Sequence, residues 1–362
     1  MRFLAFFLST AIVAGSAPDP IAAQRQTRNV VLIVTDGLRW QEVFSGAERA
    51  LLSAQPGGAR DTTGLIRDFW RSTPEARREA LLPFFWKTIG KQGVIYGNQT
   101  KGSIARITNT MKFSYPGYNE IFTGAFDPRI DSNGYPPNPN VTVFEWLAKK
   151  PELADKVGAV ATWSAFRRIL NKERSGLPIL DGWDPPFAAD SARSERAALI
   201  DELYRTSIQM WPDNAFDAPM NLAANEFIRT RRPRVLFVGY GETDEWAHSG
   251  RYDLVLRSAH QVDAFIAELW LTMQRMPQYR GVTTFIITTD HGRGSGPTAW
   301  RDHGQDVAGA ENIWIAMLGP DTPALGEMTS GTVTQSQIAA TVAALLGEDW
   351  TVANPRAGKP LR

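Results

Sequence analysis

The stretch TTFIITTDHGRG, residues 283–294, decides the fold class. Its first seven residues are all β-branched or aromatic, and they run without a break into Asp290 and His291. A continuous hydrophobic run, without alternating polar residues, is typical of a strand buried on both faces by helices in a parallel sheet. Such a strand delivers a carboxylate and an imidazole side by side at its carboxyl end.

Similar apolar runs occur elsewhere in the chain. NVVLIVTDG (29–37) and RVLFVGYGETD (234–244) also lead into an aspartate, and KVGAVATWS (156–164) is a fourth candidate strand. Helical patterns lie among them, the longest at 252–276. This alternation predicts an α/β fold with a doubly wound, mostly parallel central sheet and helices on both faces. Ligands of such sheets bind beyond the carboxyl ends of the strands, where these aspartates lie.

Composition narrows the class of protein. The chain has 362 residues, 43% of them hydrophobic, and a formal net charge of +1. These values allow a large core and argue against a basic face for nucleic acid. The absence of cysteine excludes disulfides, thiolate metal sites and a cysteine nucleophile.

The N-terminal stretch MRFLAFFLSTAIVAGSA has the pattern of a signal peptide, with Arg2 before a short apolar run and small residues. We expect cleavage after Ala17 or Ala23 and a periplasmic or secreted protein; an uncleaved membrane anchor is the alternative. No later segment looks able to span a membrane. The predicted organisation is a signal peptide at 1–23 and a single catalytic domain at 24–362, with surface insertions near 46–80 and 170–232.

Acidic and imidazole side chains cluster at the predicted strand ends. Asp244 and His248 are four residues apart, so one helical turn would place both on the same face. His303 follows His291 by twelve residues, on a predicted loop. Carboxylate and imidazole ligands without thiolate suit catalytic zinc, with manganese as the alternative. The predicted ligands are too many for one tetrahedral zinc but fit two ions about 4 Å apart: Asp36, Asp244, Asp290, His248, His291 and His303.

Each of these residues also has an ordinary structural interpretation. A single aspartate at a strand end is commonly a helix cap or a turn residue. The fourth histidine, His260, lies inside the long helical pattern, and we interpret it as a packing or surface residue. The metal hypothesis depends on the coincidence of several such residues at one predicted sheet edge.

A nucleophile is predicted at Ser114, in NTMKFSYPGYNEIFTG (109–124). It lies just before a predicted helix that has Pro116 and Gly117 in its first turn. A serine at that position can direct its hydroxyl at a metal ion and at an anion bound by helix-terminal amides. A metal would lower the hydroxyl pKa. The alternative is a simple N-cap serine.

In order along the chain, these motifs resemble the alkaline phosphatase superfamily, most closely its branch of nucleotide pyrophosphatases/phosphodiesterases and related phosphatases. The resemblance rests on VVLIVTDG, KFSYPGYNEIFTG, YGETDEWAHSGRY, FIITTDHGRG, WRDHG and QSQIAATVAALLG. It implies hydrolysis of a small-molecule phosphate ester through a covalent phosphoseryl intermediate on Ser114. It also implies two zinc sites, the first formed by Asp36, Ser114, Asp290 and His291, and the second by Asp244, His248 and His303.

The sequence departs from the family pattern at several positions. Phosphodiesterase members usually have threonine followed by Phe-Pro-Asn at the nucleophile, where this chain has Ser114 to Gly117. They also carry a phosphoryl-contacting asparagine further along; among Asn133, Asn138 and Asn140, we predict Asn133 from its spacing. Tyr118 stands where the sulfatase modification motif requires arginine, so conversion to formylglycine is not expected.

Several alternatives remain at this point. The same scaffold could carry a sulfuric ester hydrolase or a phosphotransferase, and a non-catalytic periplasmic protein that binds metal or phosphate is a hypothesis from a different class. Lys112 and Arg293 lie near the motifs, but nothing in the sequence assigns them a role.

Overall fold

The computed structural model describes residues 25–361, so the predicted signal peptide at 1–23 lies outside the described residues. The strands of the described chain are β1 (Asn29–Thr35), β2 (Val94–Tyr96), β3 (Ile104–Arg106), β4 (Val157–Ala161), β5 (Ile179–Asp181), β6 (Val235–Tyr240), β7 (Thr283–Thr288), β8 (Ile315–Leu318), β9 (Gly326–Glu327) and β10 (Thr332–Thr334).

The helices surround this set of strands. They are α1 (Trp40–Ser45), α2 (Thr62–Phe69), α3 (Pro74–Leu81), α4 (Gly90–Gln92), α5 (Ser114–Thr123), α6 (Val143–Ala148), α7 (Phe166–Ile169), α8 (Lys172–Ser175), α9 (Glu195–Thr206), α10 (Asp217–Arg231), α11 (Glu242–His248), α12 (Tyr252–Arg275), α13 (Gly296–Ala299), α14 (Ile338–Leu345) and α15 (Trp350–Ala353). Within residues 25–361, none of the helices has both the length and the apolar character needed to cross a bilayer.

The central sheet has eight strands in the order β5-β4-β6-β1-β7-β8-β2-β9. Its strands pair in parallel except β8, which runs antiparallel to both β7 and β2. The prediction of a mostly parallel sheet with helices on both faces is therefore confirmed. A small parallel pair, β3 with β10, lies outside the main sheet.

Each face of the sheet packs against its own helical layer. In β1, Val31 and Ile33 belong to one hydrophobic cluster, which includes apolar residues of α1, α2, α3, α9, α10 and α12. Val30, Leu32 and Val34 belong to the other, with residues of α5, α6, α7, α14 and α15. Successive strand residues point to opposite faces, so a strand covered on both faces must be hydrophobic at every position. This explains the continuous apolar runs.

The segments 46–80 and 170–232 contribute to the core of this fold. Segment 46–80 buries Leu51, Leu65 and Phe69 in the first cluster. Segment 170–232 supplies the edge strand β5 and the helix α10, which covers the sheet. That these segments are insertions stays a prediction. The strand β5 was not predicted, because a strand of only three residues gives no readable hydrophobic pattern.

Candidate metal centre

The predicted ligands lie at the carboxyl edge of three neighbouring strands. Asp36 directly follows β1, and Asp290 and His291 follow β7. The helix α11 begins two residues after β6 ends and carries both Asp244 and His248. Because β6, β1 and β7 are hydrogen-bonded neighbours, one end of the sheet brings these side chains together.

A first group of side chains surrounds the imidazole of His291. Its Nε2 lies 3.4 Å from Asp36 Oδ1, 3.5 Å from Asp290 Oδ2 and 3.3 Å from Ser114 Oγ. All four residues are buried. Within the described chain, Asp36 Oδ1 and Asp290 Oδ2 have no hydrogen-bond partner. Buried carboxylate oxygens without partners are costly, and a cation between them and Nε2 would satisfy both. The donor set therefore fits a divalent metal ion.

A second group lies beside the first. His248 Nε2 is 2.9 Å from His303 Nε2 and 3.2 Å from Asp244 Oδ2, and His303 Nε2 is 3.6 Å from Asp244 Oδ1. His291 Nε2 is only 3.9 Å from the same Asp244 oxygen, so the two groups are adjacent. His303 lies on a loop, as predicted from sequence.

Backbone carbonyls orient two of the imidazoles. His291 Nδ1 lies 2.9 Å from the carbonyl oxygen of Gly292, and His303 Nδ1 lies 3.3 Å from that of Lys112. A carbonyl oxygen can only accept, so both Nδ1 atoms donate. In the neutral ring this leaves the lone pair on Nε2, the atom that faces the carboxylates. Metal-binding histidines are commonly oriented in this way.

Burial and neighbouring charges shift the pKa values of the ionisable residues in the centre. Burial and the neighbouring Asp36 raise the pKa of Asp290 to about 7. Burial opposes protonation of His291, but the charges of Asp290 and Asp36 outweigh it and raise the pKa of the imidazole to about 9. Burial and the positive charges of His291 and Arg293 hold the pKa of His303 far below its ordinary value. Bound cations would balance the carboxylates without these shared protons.

Ser114 is presented to the first group by α5. The helix begins at Ser114 itself, so the serine lies in the first turn and not just before it, as its N-cap position is Phe113. Gly117 allows the helix to approach β7, because a Cβ atom there would lie 2.5 Å from the carbonyl oxygen of Asp290. Tyr118 donates to Asp36 Oδ2 at 3.0 Å. Helix and strand ends are thus fixed to one another around the serine hydroxyl.

The three candidate asparagines have different environments. Asn133 Oδ1 accepts from the amide of Tyr115 at 2.9 Å, and the residue lines a cavity of about 400 Å³ together with Ser114. Asn138 and Asn140 instead donate to Asn119 at the far side of α5. Of the three, only Asn133 lines this cavity.

Several solved structures resemble this chain in fold. Neither a protein-family model nor a curated protein matches the sequence. Among solved structures, phosphonate monoester hydrolase SpPMH from Silicibacter pomeroyi matches over 93% of this chain and 76% of its own, with 12% identity and a TM-score of 0.57. Alkaline phosphatase PafA matches over 93% of this chain and 98% of its own, with 10% identity and a TM-score of 0.56.

The chain has an alkaline phosphatase fold. A third structure, Ps i-CgsB, matches over 92% of this chain and 75% of its own, with 16% identity and a TM-score of 0.55. At the level of fold, the resemblance to the alkaline phosphatase superfamily is confirmed. Identities this low establish the architecture, and the chemistry has to be argued from the side chains at the sheet edge.

Arg293 is the principal residue of this centre to which the sequence assigned no role. Its guanidinium is buried, contacts the carboxylate of Asp244 and donates to the carbonyl oxygen of Gly37 at 3.2 Å. Burial lowers its pKa to about 9, although Asp36 opposes that change. The sequence signal for Arg293 was its position between two glycines, directly after the predicted ligands Asp290 and His291. Its partner Asp244 is 49 residues away, so the sequence did not indicate this contact.

The side chains of two other residues, Lys112 and His260, lie outside the centre. The ammonium group of Lys112 pairs with Glu311 at 3.2 Å. His260 is exposed on α12, and its Nδ1 donates to the carbonyl oxygen of Leu81 at 2.8 Å.

Proposed function

We propose that this chain is a hydrolase of phosphoric esters that uses Ser114 as its nucleophile and two divalent metal ions as cofactors, with a donor set that favours zinc. The observation that carries the proposal is the position of Ser114 Oγ, in the first turn of α5 and 3.3 Å from His291 Nε2. A protein that only bound metal or phosphate would have no need of a hydroxyl at that point.

The residues divide between two ions as the family resemblance implies. Asp36, Ser114, Asp290 and His291 would hold the first, and Asp244, His248 and His303 the second. When bound, the ions would supply positive charge that lowers the pKa of the nucleophile and offsets negative charge on the phosphoryl oxygens. Carboxylate and imidazole ligands favour zinc, with manganese as the alternative.

Residues of the chain itself receive and position the phosphoryl group. Ser114 Oγ forms a bond to phosphorus as the bond to the ester oxygen breaks, and the alcohol leaves with a proton. Water then attacks the phosphoseryl phosphorus, which releases phosphate and restores the serine hydroxyl. Because Ser114 is the first residue of α5, the positive end of the helix dipole would lie beside the transferred group and favour its negative charge. Asn133, which lines the cavity, is proposed to contact a phosphoryl oxygen.

The proposal also includes export of the protein from the cytoplasm. The pattern of residues 1–23 supports a signal peptide and a periplasmic or secreted enzyme, with residues 24–362 as one catalytic domain. The single-domain part is supported by the central sheet, which receives strands from both halves of the described chain.

The proposal is tested with Ser114→Ala. We expect the hydrolysis rate of p-nitrophenyl phosphate to fall by at least about a thousandfold, while zinc content by mass spectrometry stays near two ions per chain. Ser191→Ala, which removes an exposed hydroxyl, is the matched control. A mild effect of Ser114→Ala would indicate direct attack by water. Parallel assays with bis-p-nitrophenyl phosphate and p-nitrophenyl sulfate would separate monoester, diester and sulfate ester hydrolysis.

A further inference from the structure

One wall of the candidate active-site cavity is formed by Trp163, Asp213, Asn214 and Glu245. Two backbone hydrogen bonds join the chain after β4 to the 213–215 segment, from Ser164 N to Asp213 O at 2.8 Å and from Ala215 N to Thr162 O at 2.9 Å. Side chains complete the wall. The Trp163 indole donates to Asp213 Oδ2 at 3.0 Å, and the amide of Asn214 donates to Glu245 Oε1 at 3.0 Å.

The negative charge of this wall is not balanced by protein cations. Within residues 25–361, neither Asp213 nor Glu245 forms an ion pair with lysine or arginine, and no lysine or arginine lines the cavity. Asp36 and Asp244, the other carboxylates of the lining, are assigned to metal ions. The two wall carboxylates are therefore left to face whatever enters the cavity.

A buried polar group in the same wall also lacks a partner. Asn214 lines the cavity and is only 6% exposed, and its Oδ1 accepts no hydrogen bond within the described chain. Buried acceptors of this kind are normally satisfied. The wall therefore combines two carboxyl groups that form no ion pair with lysine or arginine in the described chain, a free acceptor and an aromatic ring.

The wall lies on the side from which an alcohol would leave. In-line displacement at phosphorus places the leaving oxygen opposite the attacking one. Because Ser114 belongs to the first metal group, a two-metal site would hold the leaving oxygen at the second group, Asp244, His248 and His303. Glu245 is the next residue of α11 after Asp244, and Asn214 links it to the 213–215 segment. Substituents of the leaving alcohol would therefore extend towards this wall.

We propose that this wall selects phosphate esters whose alcohol carries an ammonium group, of the choline type. The inference rests on the proposed function and specifies its substrate class. An anionic wall repels the negative charge of an ordinary phosphate ester. An ammonium group a few atoms from the phosphate reverses that effect, since it is attracted by both carboxylates and by the face of an indole ring.

The test compares phosphocholine with 3,3-dimethylbutyl phosphate on the zinc-loaded protein. The two esters have the same shape, but carbon replaces the charged nitrogen in the second. We expect kcat/KM to be roughly tenfold higher for phosphocholine, the size of one favourable cation contact. Asp213→Asn and Glu245→Gln should each bring the ratio towards one. Glu202→Gln, which removes an exposed carboxylate on α9, is the matched control and should leave the ratio unchanged.

Several results would overturn the inference and leave the proposed function intact. These are equal kcat/KM for the two esters, a ratio that survives both wall substitutions, and a clear preference for adenosine monophosphate over phosphocholine. Hydrolysis of p-nitrophenyl phosphate without hydrolysis of either alkyl ester would also overturn it. Hydrolysis of bis-p-nitrophenyl phosphate alone would overturn it in the same way, whereas failure to hydrolyse this diester and all of the monoesters would instead contradict the proposed function.

Discussion

Gly37 offers a direct test of how the second metal group is held in place. It follows Asp36 with φ +58°, and a Cβ atom at this position would lie 2.7 Å from Asp244 Oδ1 and 2.8 Å from Arg293 Nε. Neither atom can move easily, because the Arg293 guanidinium is buried and also donates to the Gly37 carbonyl oxygen. Gly37→Ala should therefore displace the Asp244 carboxylate.

The expected effect has two parts. A left-handed backbone costs an alanine about 1 to 2 kcal/mol of stability. Displacement of a ligand or of the group that orients it typically weakens metal affinity by about 10- to 100-fold. We therefore expect Gly37→Ala to fold, to lose a modest amount of stability in the metal-free state, and to lose affinity chiefly for one of its two ions.

Gly281→Ala is the matched control for the backbone part. Gly281 has φ +69°, but a Cβ atom there would have nothing within 4 Å. Zinc content at a series of buffered free zinc concentrations measures affinity, and urea unfolding in chelator measures stability. If Gly37→Ala bound both ions as tightly as Gly281→Ala, the contact with Asp244 would not position this ligand and the reasoning would be refuted.

Two further predictions concern α12. His260→Ala should keep the metal content of the wild type, because His260 bonds to the Leu81 carbonyl and not to the centre; loss of an ion would show that the ligands were misassigned. Burial raises the pKa of Asp263 to about 6, although the amides of Phe84 and Phe85 donate to it. The folded state therefore holds the proton more tightly than the unfolded state, and ionisation costs stability as the pH rises from about 4 to 6. Relative to wild type, Asp263→Asn should gain about 2 kcal/mol in free energy of unfolding between pH 4 and pH 7; urea unfolding at both values would contradict this if the difference did not change.

The sequence could predict the central strands because burial on both faces leaves a strong pattern. β1, β6 and β7 contain six or seven residues each, all buried. The same strands end at Asp36, Asp244 and Asp290 or within a few residues of them, so the predicted fold and the candidate ligands came from one signal. β5 and β9, with three and two residues, are too short to carry such a pattern.

The contacts around the ligands could not be predicted, because they join residues that are distant in sequence. Tyr118 donates to Asp36 across 82 positions, and the Gly37 carbonyl accepts from Arg293 across 256 positions. Nothing near either residue in the chain indicates its partner. Likewise, the cavity wall joins Trp163 to Asp213 across 50 positions, and only the folded sheet brings the two segments together.

The spacing of the sheet itself explains why the carboxylate part of the centre can form before any metal binds. In the register of the three central strands, Thr35 pairs with Tyr240, and Val34 pairs with Thr288. Neighbouring strands are about 4.8 Å apart, which is close to the separation of about 4 Å between two ions in a shared cleft. Asp36 and Asp290 are therefore held at about this separation by the same hydrogen bonds that build the core. Asp244, His303 and Ser114 instead depend on helices and a loop, so Asp36 and Asp290 are the part of the centre whose arrangement depends least on bound metal.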